Sequence, residues 1–262
     1  MDSVRNGSPT MATMAPAVVS PESPKSPKSP KPPVSLRSLR DEALAAQLRD
    51  RLAHDERTAH LALDIKMDGA VAQVRGEVGS EVERALLRRL LREQGGLYAV
   101  WDLLRLPGQQ LSIADFGCGG HKQIPSALGV DCVAAPGVDV VTDLEQRLPF
   151  DDDAFDHIFA VHVVEHIHDL LGLMREMRRV LRPTGVLHVF APQWRHANAV
   201  ADPTHVRFIH VQTFKYFCEA HPGVAPWRPL MVTESPDTVH ADMQPLKDGS
   251  LADPTELARC FA

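Results

Sequence analysis

The sequence predicts an α/β protein, a mostly parallel, doubly wound sheet preceded by a small α+β unit. Three observations predict it. Residues 112–121 read Ser-Ile-Ala-Asp-Phe-Gly-Cys-Gly-Gly-His, an apolar strand running into a glycine-rich turn that opens with a carboxylate. Two further short apolar runs also end on carboxylates: Asp131 closes Ala-Leu-Gly-Val-Asp, and Asp143 closes Val-Asp-Val-Val-Thr-Asp. Upstream, residues 41–106 switch between helical and strand periodicity in the order α-β-β-α-β. Glycines let a backbone turn sharply and approach a ligand closely. In an open α/β sheet such a turn sits at the carboxyl end of a strand, where ligands bind.

Composition sets the outer bounds. A chain of 262 residues, 44% hydrophobic and 24% charged, suits a soluble protein with one ordinary domain and one small one. A net charge of −6 gives no general affinity for nucleic acid. Cys118, Cys132, Cys218 and Cys260 show no CxxC pairing, so reduced thiols are expected. No apolar run approaches the roughly 20 residues needed to span a bilayer. Pro16 interrupts the mildly apolar residues 11–20, so no signal peptide is predicted and a cytoplasmic location is expected.

Residues 1–40 read as a solvated, disordered tail. Ser23-Pro24-Lys25 repeats at 26–28 and 29–31, and proline at this density favours extended chain. Three Lys and three Arg against Asp2 and Glu22 make the tail basic. Contact with nucleic acid or an acidic surface and phosphorylation of its serines are the competing functional readings.

A small domain is expected over residues 41–107. Leu44, Leu48 and Leu52 recur at helical spacing. Leu61, Leu63, Ile65 and Met67 alternate as in a half-buried strand, and Asp68-Gly69 signals a hairpin turn. The second strand runs from Val71 to Gly76. Ser80 with Glu83 forms a capping box ahead of a helix carrying Leu86, Leu87, Leu90 and Leu91, which Gly95-Gly96 stops. Leu97 to Leu106 reads as the last strand. This order, with Asp-Gly, Gly-Glu-Val and Gly-Gly-Leu in place, resembles a BON domain, with a hairpin one residue longer than that family's common pattern, which allows a β-bulge. The resemblance implies docking to a protein or membrane surface, dimerisation or substrate presentation, and no chemistry.

The larger domain is expected over 108–250, with 251–262 as a tail or short helix. Pro125 and Gly129 restrict the first crossover to a loop with at most one helical turn. Leu148-Pro149-Phe150 and the acidic turn Asp151-Asp152-Asp153 precede a strand from Ile158 to Val164, which leads into Glu165-His166. A helix then runs to Arg182-Pro183-Thr184-Gly185, followed by a strand from Val186 to Phe190. Trp227 to Thr233 and Val239 to Met243 read as closing antiparallel strands, and Pro254 to Phe261 as a terminal helix. This order over about residues 111–217 resembles class I S-adenosylmethionine-dependent methyltransferases. It is most similar to the subgroup with a short glycine loop and a later Asp-Pro-Thr-His-Val-Arg segment, here residues 202–207.

The resemblance implies a Rossmann-like sheet with helices on both faces and S-adenosylmethionine as cofactor. Gly117 and Gly119 would let the backbone approach its methionine and ribose portion. Asp115 would anchor the turn or meet the amino group. Asp131 would accept hydrogen bonds from the ribose diol, as a carboxylate does well. Asp143 would accept from the adenine amino group, with the Leu144 backbone beside it. The competing reading for any one of these aspartates is a turn or helix cap. The implied reaction is methyl transfer to a hydroxyl or amine of a small molecule, a glycan or a lipid-linked acceptor.

His162, Glu165 and His166 follow the fourth strand, where this fold faces the transferred methyl, and His162 is expected beside the cofactor as well. His205 would come from the loop after the next strand. Three readings stand open. A histidine would take the acceptor's proton, as an imidazole titrating near neutral pH does. Glu165 and His166 would be buried structural partners. Or His162, Glu165, His166 and His205 would bind a divalent metal, as a similar Glu-x-x-Glu-His pattern does in small-RNA 3′-end methyltransferases and some quinone-biosynthesis methyltransferases. Two other functions compete: a non-catalytic cofactor-binding protein acting through the BON-like domain, and a metal-assisted RNA ribose methyltransferase. The aromatic stretch Phe208, Phe214, Tyr216 and Phe217 would be lid, substrate wall or core.

Overall fold

The computed structural model describes residues 35–261, so the Ser-Pro-Lys repeats expected to form a solvated tail lie outside the described residues. Helix α1 (Leu36–His54) begins five residues before the boundary expected at 41, because Ser35 Oγ accepts the Ser38 amide at 3.0 Å and caps it. The hairpin of β1 (Leu63–Asp68) and β2 (Val71–Glu77) turns on Gly69 and Ala70, both at positive φ. The buried Asp41 carboxylate of α1 receives both turn amides, at 2.7 and 2.8 Å. This two-residue turn leaves no extra residue to absorb. The ladder therefore runs in register from Leu63↔Gly76 to Asp68↔Val71, without the bulge the sequence allowed.

Helix α2 (Glu81–Arg92) starts as predicted: Ser80 Oγ accepts the Glu83 amide, and Glu83 Oε2 reaches back to the Gly79 amide. Strand β3 (Ala99–Arg105) pairs parallel with β2. Leu48, Leu87, Leu91, Val100 and Leu104 form the core between these helices and the small sheet.

The main sheet contains β4 (Ile113–Phe116), β5 (Leu128–Asp131), β6 (Val140–Val141), β7 (Phe155–Val161), β8 (Leu181–Pro192), β9 (Trp227–Glu234) and β10 (Thr238–Pro245). Its order is β6-β5-β4-β7-β8-β10-β9, and only β10 runs against the rest. The β4–β5 crossover has no helix, as Pro125 and Gly129 dictate. Helix α3 (Leu170–Val180) joins β7 to β8, while α4 (Ala197–Ala201) and α5 (Val211–Cys218) precede β9. A helix α6 (Pro254–Phe261) follows β10 where a tail or short helix was expected.

Helices α3, α5 and α6 cover one face of this sheet through Leu173, Met177, Phe214, Phe217 and Phe261. Among the described residues the expected second layer of helices does not cover the other face. There β3 takes its place, with Trp101 packing 4.9 Å from Phe159 and 5.5 Å from Phe190 by ring centroids, and Leu103 joining Ile124 and Phe159. Both faces of β3 are buried, which explains why Ala99–Leu104 reads as an almost continuous apolar run. Residues 35–261 accordingly pack as one compact unit.

A polar seam crosses this junction. Asp102 on β3 pairs with Arg88 at 2.7 Å and Arg92 at 2.5 Å, one helical turn apart on α2. Burial pushes the Asp102 carboxyl up, but the two guanidiniums win and hold it below the usual carboxylate range. Asp242 on β10 accepts the Val100 amide at 3.0 Å and faces His188 Nδ1 at 2.7 Å. His188 Nε2 in turn lies 3.2 Å from His157 Nδ1. Burial keeps the His157 imidazole neutral, well below its ordinary pKa.

Candidate active site

Strand β4 ends on Asp115-Phe116, and the chain turns through Gly117 at φ +67° and Gly119 at φ +52°. Two donors fix the turn. Gly117 N–H binds Val130 O at 2.7 Å, and Gly119 N–H binds Asp131 Oδ2 at 2.8 Å. Asp131 Oδ1 accepts the Val133 amide at 3.0 Å. The carboxylate expected to meet a ribose thus also ties the glycine loop to the end of β5. A Cβ on Gly119 would meet nothing within 4 Å, so that backbone stands open to a ligand. A Cβ on Gly117 would meet Val163 Cγ2 at 2.4 Å, so here glycine permits the loop to touch the chain after β7.

Asp115 is buried, and its Oδ2 accepts the Gln123 amide at 2.5 Å. Burial pushes its carboxyl up to about 6, against the pull of that amide and of the Lys122 charge. Asp143 is exposed and accepts the Glu145 amide, a turn contact, while Leu144 is buried beside it. His121 is exposed; Lys122 reaches Ala127 O and the Asp139 carboxylate. An electropositive ligand with a diol and an amine suits this set of acceptors: two carboxylates at the loop, a third one strand away, and an open glycine backbone between them.

The four residues grouped by sequence after β7 and β8 separate into two places. His162 has a backbone in the left-handed region, φ +57°, held by its amide to Phe190 O at 2.8 Å. A β-carbon pays about 1 kcal/mol or more for that conformation, and such strain gathers at functional sites. Its Nδ1 lies 3.2 Å from Glu165 Oε1, and its exposed ring faces a cleft of about 920 Å³. The cleft lies between the 35–105 segment and the ends of β8 and β10, lined by Tyr98, Trp101, Gln123, Phe190 and His240. Sequence reasoning missed His240. It is buried, stacks on Tyr98 at 5.4 Å, and neither ring nitrogen has a hydrogen-bond partner among the described residues. Burial lowers its pKa to about 4, so the ring is neutral at physiological pH. A histidine inside the apolar run of β10 was the available signal.

Glu165 and His166 sit in one 3-10 turn, Val164–His166. The Asp-Pro-Thr-His-Val-Arg segment is sewn onto it: Val206 N–H binds Glu165 O at 2.9 Å, and the Arg207 guanidinium donates to Ile167 O and His168 O. His205 is thereby brought against His166, ring centroids 4.7 Å apart. His162 is outside this group, because the segment is not the continuous helix that would align residues four apart. Of the aromatic stretch, Phe214 and Phe217 are core, whereas Phe208 and Tyr216 face solvent.

Residues 114–189 match the methyltransferase domain family. The matched segment runs from β4 to β8 and carries the glycine loop, Asp131, Asp143, His162, Glu165 and His166. Over these residues the chain is similar to methyltransferase domains, and the mostly parallel sheet from β4 to β8 is Rossmann-like. Demethylmenaquinone methyltransferase of Chlorobaculum tepidum is 26% identical over 91 residues, 35% of this chain and 35% of that protein. Sterol 4-C-methyltransferase of Caenorhabditis elegans is 33% identical over 91 residues, 32% of this chain and 27% of that one. The chain spans about a third of the length of these curated relatives. A solved S-adenosylmethionine-dependent methyltransferase from Aquifex aeolicus aligns at 16% identity over 52% of this chain and 82% of that one, with a TM-score of 0.43. Among the described residues no helix is long and apolar enough to cross a membrane.

Proposed function

We propose that the chain transfers a methyl group from S-adenosylmethionine to a hydroxyl or amine of an acceptor held in the cleft beside His162. One observation carries the reading. The cleft meets the carboxyl end of β7 next to the glycine loop, and its wall joins aromatic rings to a buried imidazole with two unpartnered nitrogens. A buried polar group without a partner costs stability unless a ligand completes it. Tyr98, Trp101 and Phe190 suit a flat or apolar small molecule, and His240 offers it one hydrogen bond. The two relatives named above act on a menaquinone precursor and a sterol, acceptors of that size and character. Glycan and lipid-linked acceptors fit the same wall. The BON-like segment serves here as that wall, with protein or membrane docking on its outer face. The Asp-Pro-Thr-His segment agrees with the short-loop subgroup, and a cofactor made in the cytoplasm agrees with a cytoplasmic enzyme.

When bound, the cofactor supplies an electrophilic methyl on a sulfonium. Asp131 and the open Gly119 backbone hold its sugar side, and Asp115 its amino side. Asp143 and the Leu144 backbone border the adenine. His162 Nδ1–H donates to the Glu165 carboxylate, which leaves Nε2 as the acceptor for the proton released when the acceptor oxygen or nitrogen takes the methyl. Alignment by the cleft walls provides much of the rate.

Calorimetric titration of the purified chain with S-adenosylmethionine and S-adenosylhomocysteine tests the reading. Saturable binding of both supports it. A folded sample that binds neither overturns it and leaves a degenerate fold acting through the BON-like segment.

A further inference from the structure

We propose that Glu165, His166 and His205 form a divalent transition-metal site, with zinc as the ion their chemistry favours. One carboxylate oxygen of Glu165 and one ring nitrogen of each histidine lie within 4.8 Å of one another. Glu165 is 1% exposed, and among the described residues its Oε2 has no hydrogen-bond partner. Its Oε1 is occupied by His162, so Oε2 is the free ligand atom.

The hydrogen bonds around the two imidazoles fix their tautomers. His205 Nδ1 faces the Ala199 carbonyl at 3.1 Å, which only accepts, so Nδ1 carries the proton and Nε2 the lone pair. Thr204 Oγ1 spends its proton on Asp202 Oδ1 at 2.6 Å. It therefore accepts from His166 Nδ1 at 3.0 Å, and His166 Nε2 also carries a lone pair. Asp202 Oδ2 stands 4.0 Å from His205 Nε2 and adds negative charge beside the group. Two imidazole lone pairs and a buried carboxylate oxygen have no donor among them, an arrangement that a cation relieves. Imidazole nitrogens held by a carbonyl and a hydroxyl on their far side are the usual outer support of a metal-bound histidine.

Two imidazoles and a carboxylate suit zinc or iron and disfavour magnesium and calcium, which take oxygen sets. Three protein ligands leave a position for water or an acceptor oxygen. The ion would pin the 202–207 segment to the turn after β7. Through the two oxygens of Glu165 it would stand one carboxylate away from His162 and the cleft. The site is independent of the methyl-transfer reading, which its test leaves intact or damaged separately.

The full chain, stripped with chelator and exchanged into metal-free buffer, is titrated with Zn²⁺ by calorimetry and its metal content measured. One equivalent per chain is expected, with ligand-field absorption when Co²⁺ replaces zinc. His205→Asn and Glu165→Gln should each weaken binding by roughly 100-fold or more, whereas His54→Asn on α1 should leave it unchanged. If Glu165→Gln fails to fold, His166→Asn and His205→Asn carry the test. A folded chain that binds S-adenosylmethionine but no zinc overturns the metal site alone. Zinc binding indifferent to His205→Asn also overturns it, because the ion then sits elsewhere.

Discussion

Asp242 Oδ1 lies 2.7 Å from His188 Nδ1, and neither side chain reaches solvent. The other oxygen of the same carboxylate takes the Val100 amide, so one residue of β10 closes both a histidine pair and the free edge of β3. Asp242→Ala leaves two buried donors without an acceptor. The loss of one member of a buried charged network costs about 3–5 kcal/mol. Urea unfolding should show an unfolding free energy lowered by that amount. Asp242→Asn, which keeps an acceptor, should cost less. A shift worth under about 1 kcal/mol, the net value of one ordinary hydrogen bond, would show that the seam does not hold β3 in place.

His240 makes the protein sensitive to acid. Its folded pKa of about 4 lies below the ordinary 6.5, because burial disfavours the imidazolium more than Asp242 and Asp237 favour it, with the charge of His162 adding to the lowering. Between these values the unfolded chain binds more protons, so stability is full above pH 6.5 and falls as the pH drops towards 4. Asp115 acts in the opposite sense between 3.8 and about 6, because its raised pKa gives the folded state the extra proton. The variant His240→Phe isolates the first effect. Its stability relative to the parent should rise steadily as pH falls from 6.5 to 4, by on the order of 3 kcal/mol at the end. Parallel pH profiles for the two proteins would remove His240 as the cause.

The sheet and its punctuation were legible because they are local. Pro125 and Gly129 forbade a first crossover helix, Ser80 with Glu83 placed the start of α2, and the apolar runs ended on Asp131 and near Asp143. The polar seam was not legible. Asp102, His157, His188 and Asp242 each stand in an otherwise apolar strand, which was a signal, but their partners lie as far as 142 residues away and no spacing rule links them. The grouping of His162 with His166 failed for a related reason. A four-residue interval aligns side chains only in a continuous helix, and the chain here makes a single tight turn.

Cofactor affinity should depend on pH through Asp115. The carboxyl is raised to about 6 by burial, with the Gln123 amide and Lys122 opposing. Above pH 6 it is ionised and, in the proposed cofactor placement, would attract the ammonium of the methionine moiety. As pH falls through 6 that charge is lost, and S-adenosylmethionine should bind more weakly, as read by calorimetry. Asp131→Ala should cost roughly 100-fold at any pH, from two charge-assisted hydrogen bonds. Undiminished binding by that variant would put the ribose elsewhere.

Gly117 and Gly119 should respond differently to alanine. Both have positive φ, a strain of about 1–2 kcal/mol for a residue with a β-carbon. At Gly117 the new methyl also strikes Val163, so the fold itself should lose stability. At Gly119 the methyl enters open space above the loop, so stability should fall by the backbone strain alone, less than at Gly117, while S-adenosylmethionine affinity falls. Equal effects of the two variants on stability and on affinity would show that the open face of the loop is not where the cofactor lies.

Thr204 gives the metal site a test that leaves the three ligands in place. Its hydroxyl passes a proton to Asp202 and accepts one from His166 Nδ1, so it alone sets the tautomer that frees His166 Nε2. Thr204→Val keeps the shape of the side chain but offers His166 no acceptor. The residue is exposed, so global stability should hardly change. Zinc affinity should fall by about 10- to 100-fold, the usual effect of removing the group behind a metal-bound histidine. The same variant should leave S-adenosylmethionine binding as it was, since Thr204 makes none of the hydrogen bonds that fix the glycine loop to Val130 and Asp131. Zinc affinity equal to the parent's would mean that His166 is not a ligand, whatever the metal content of the chain.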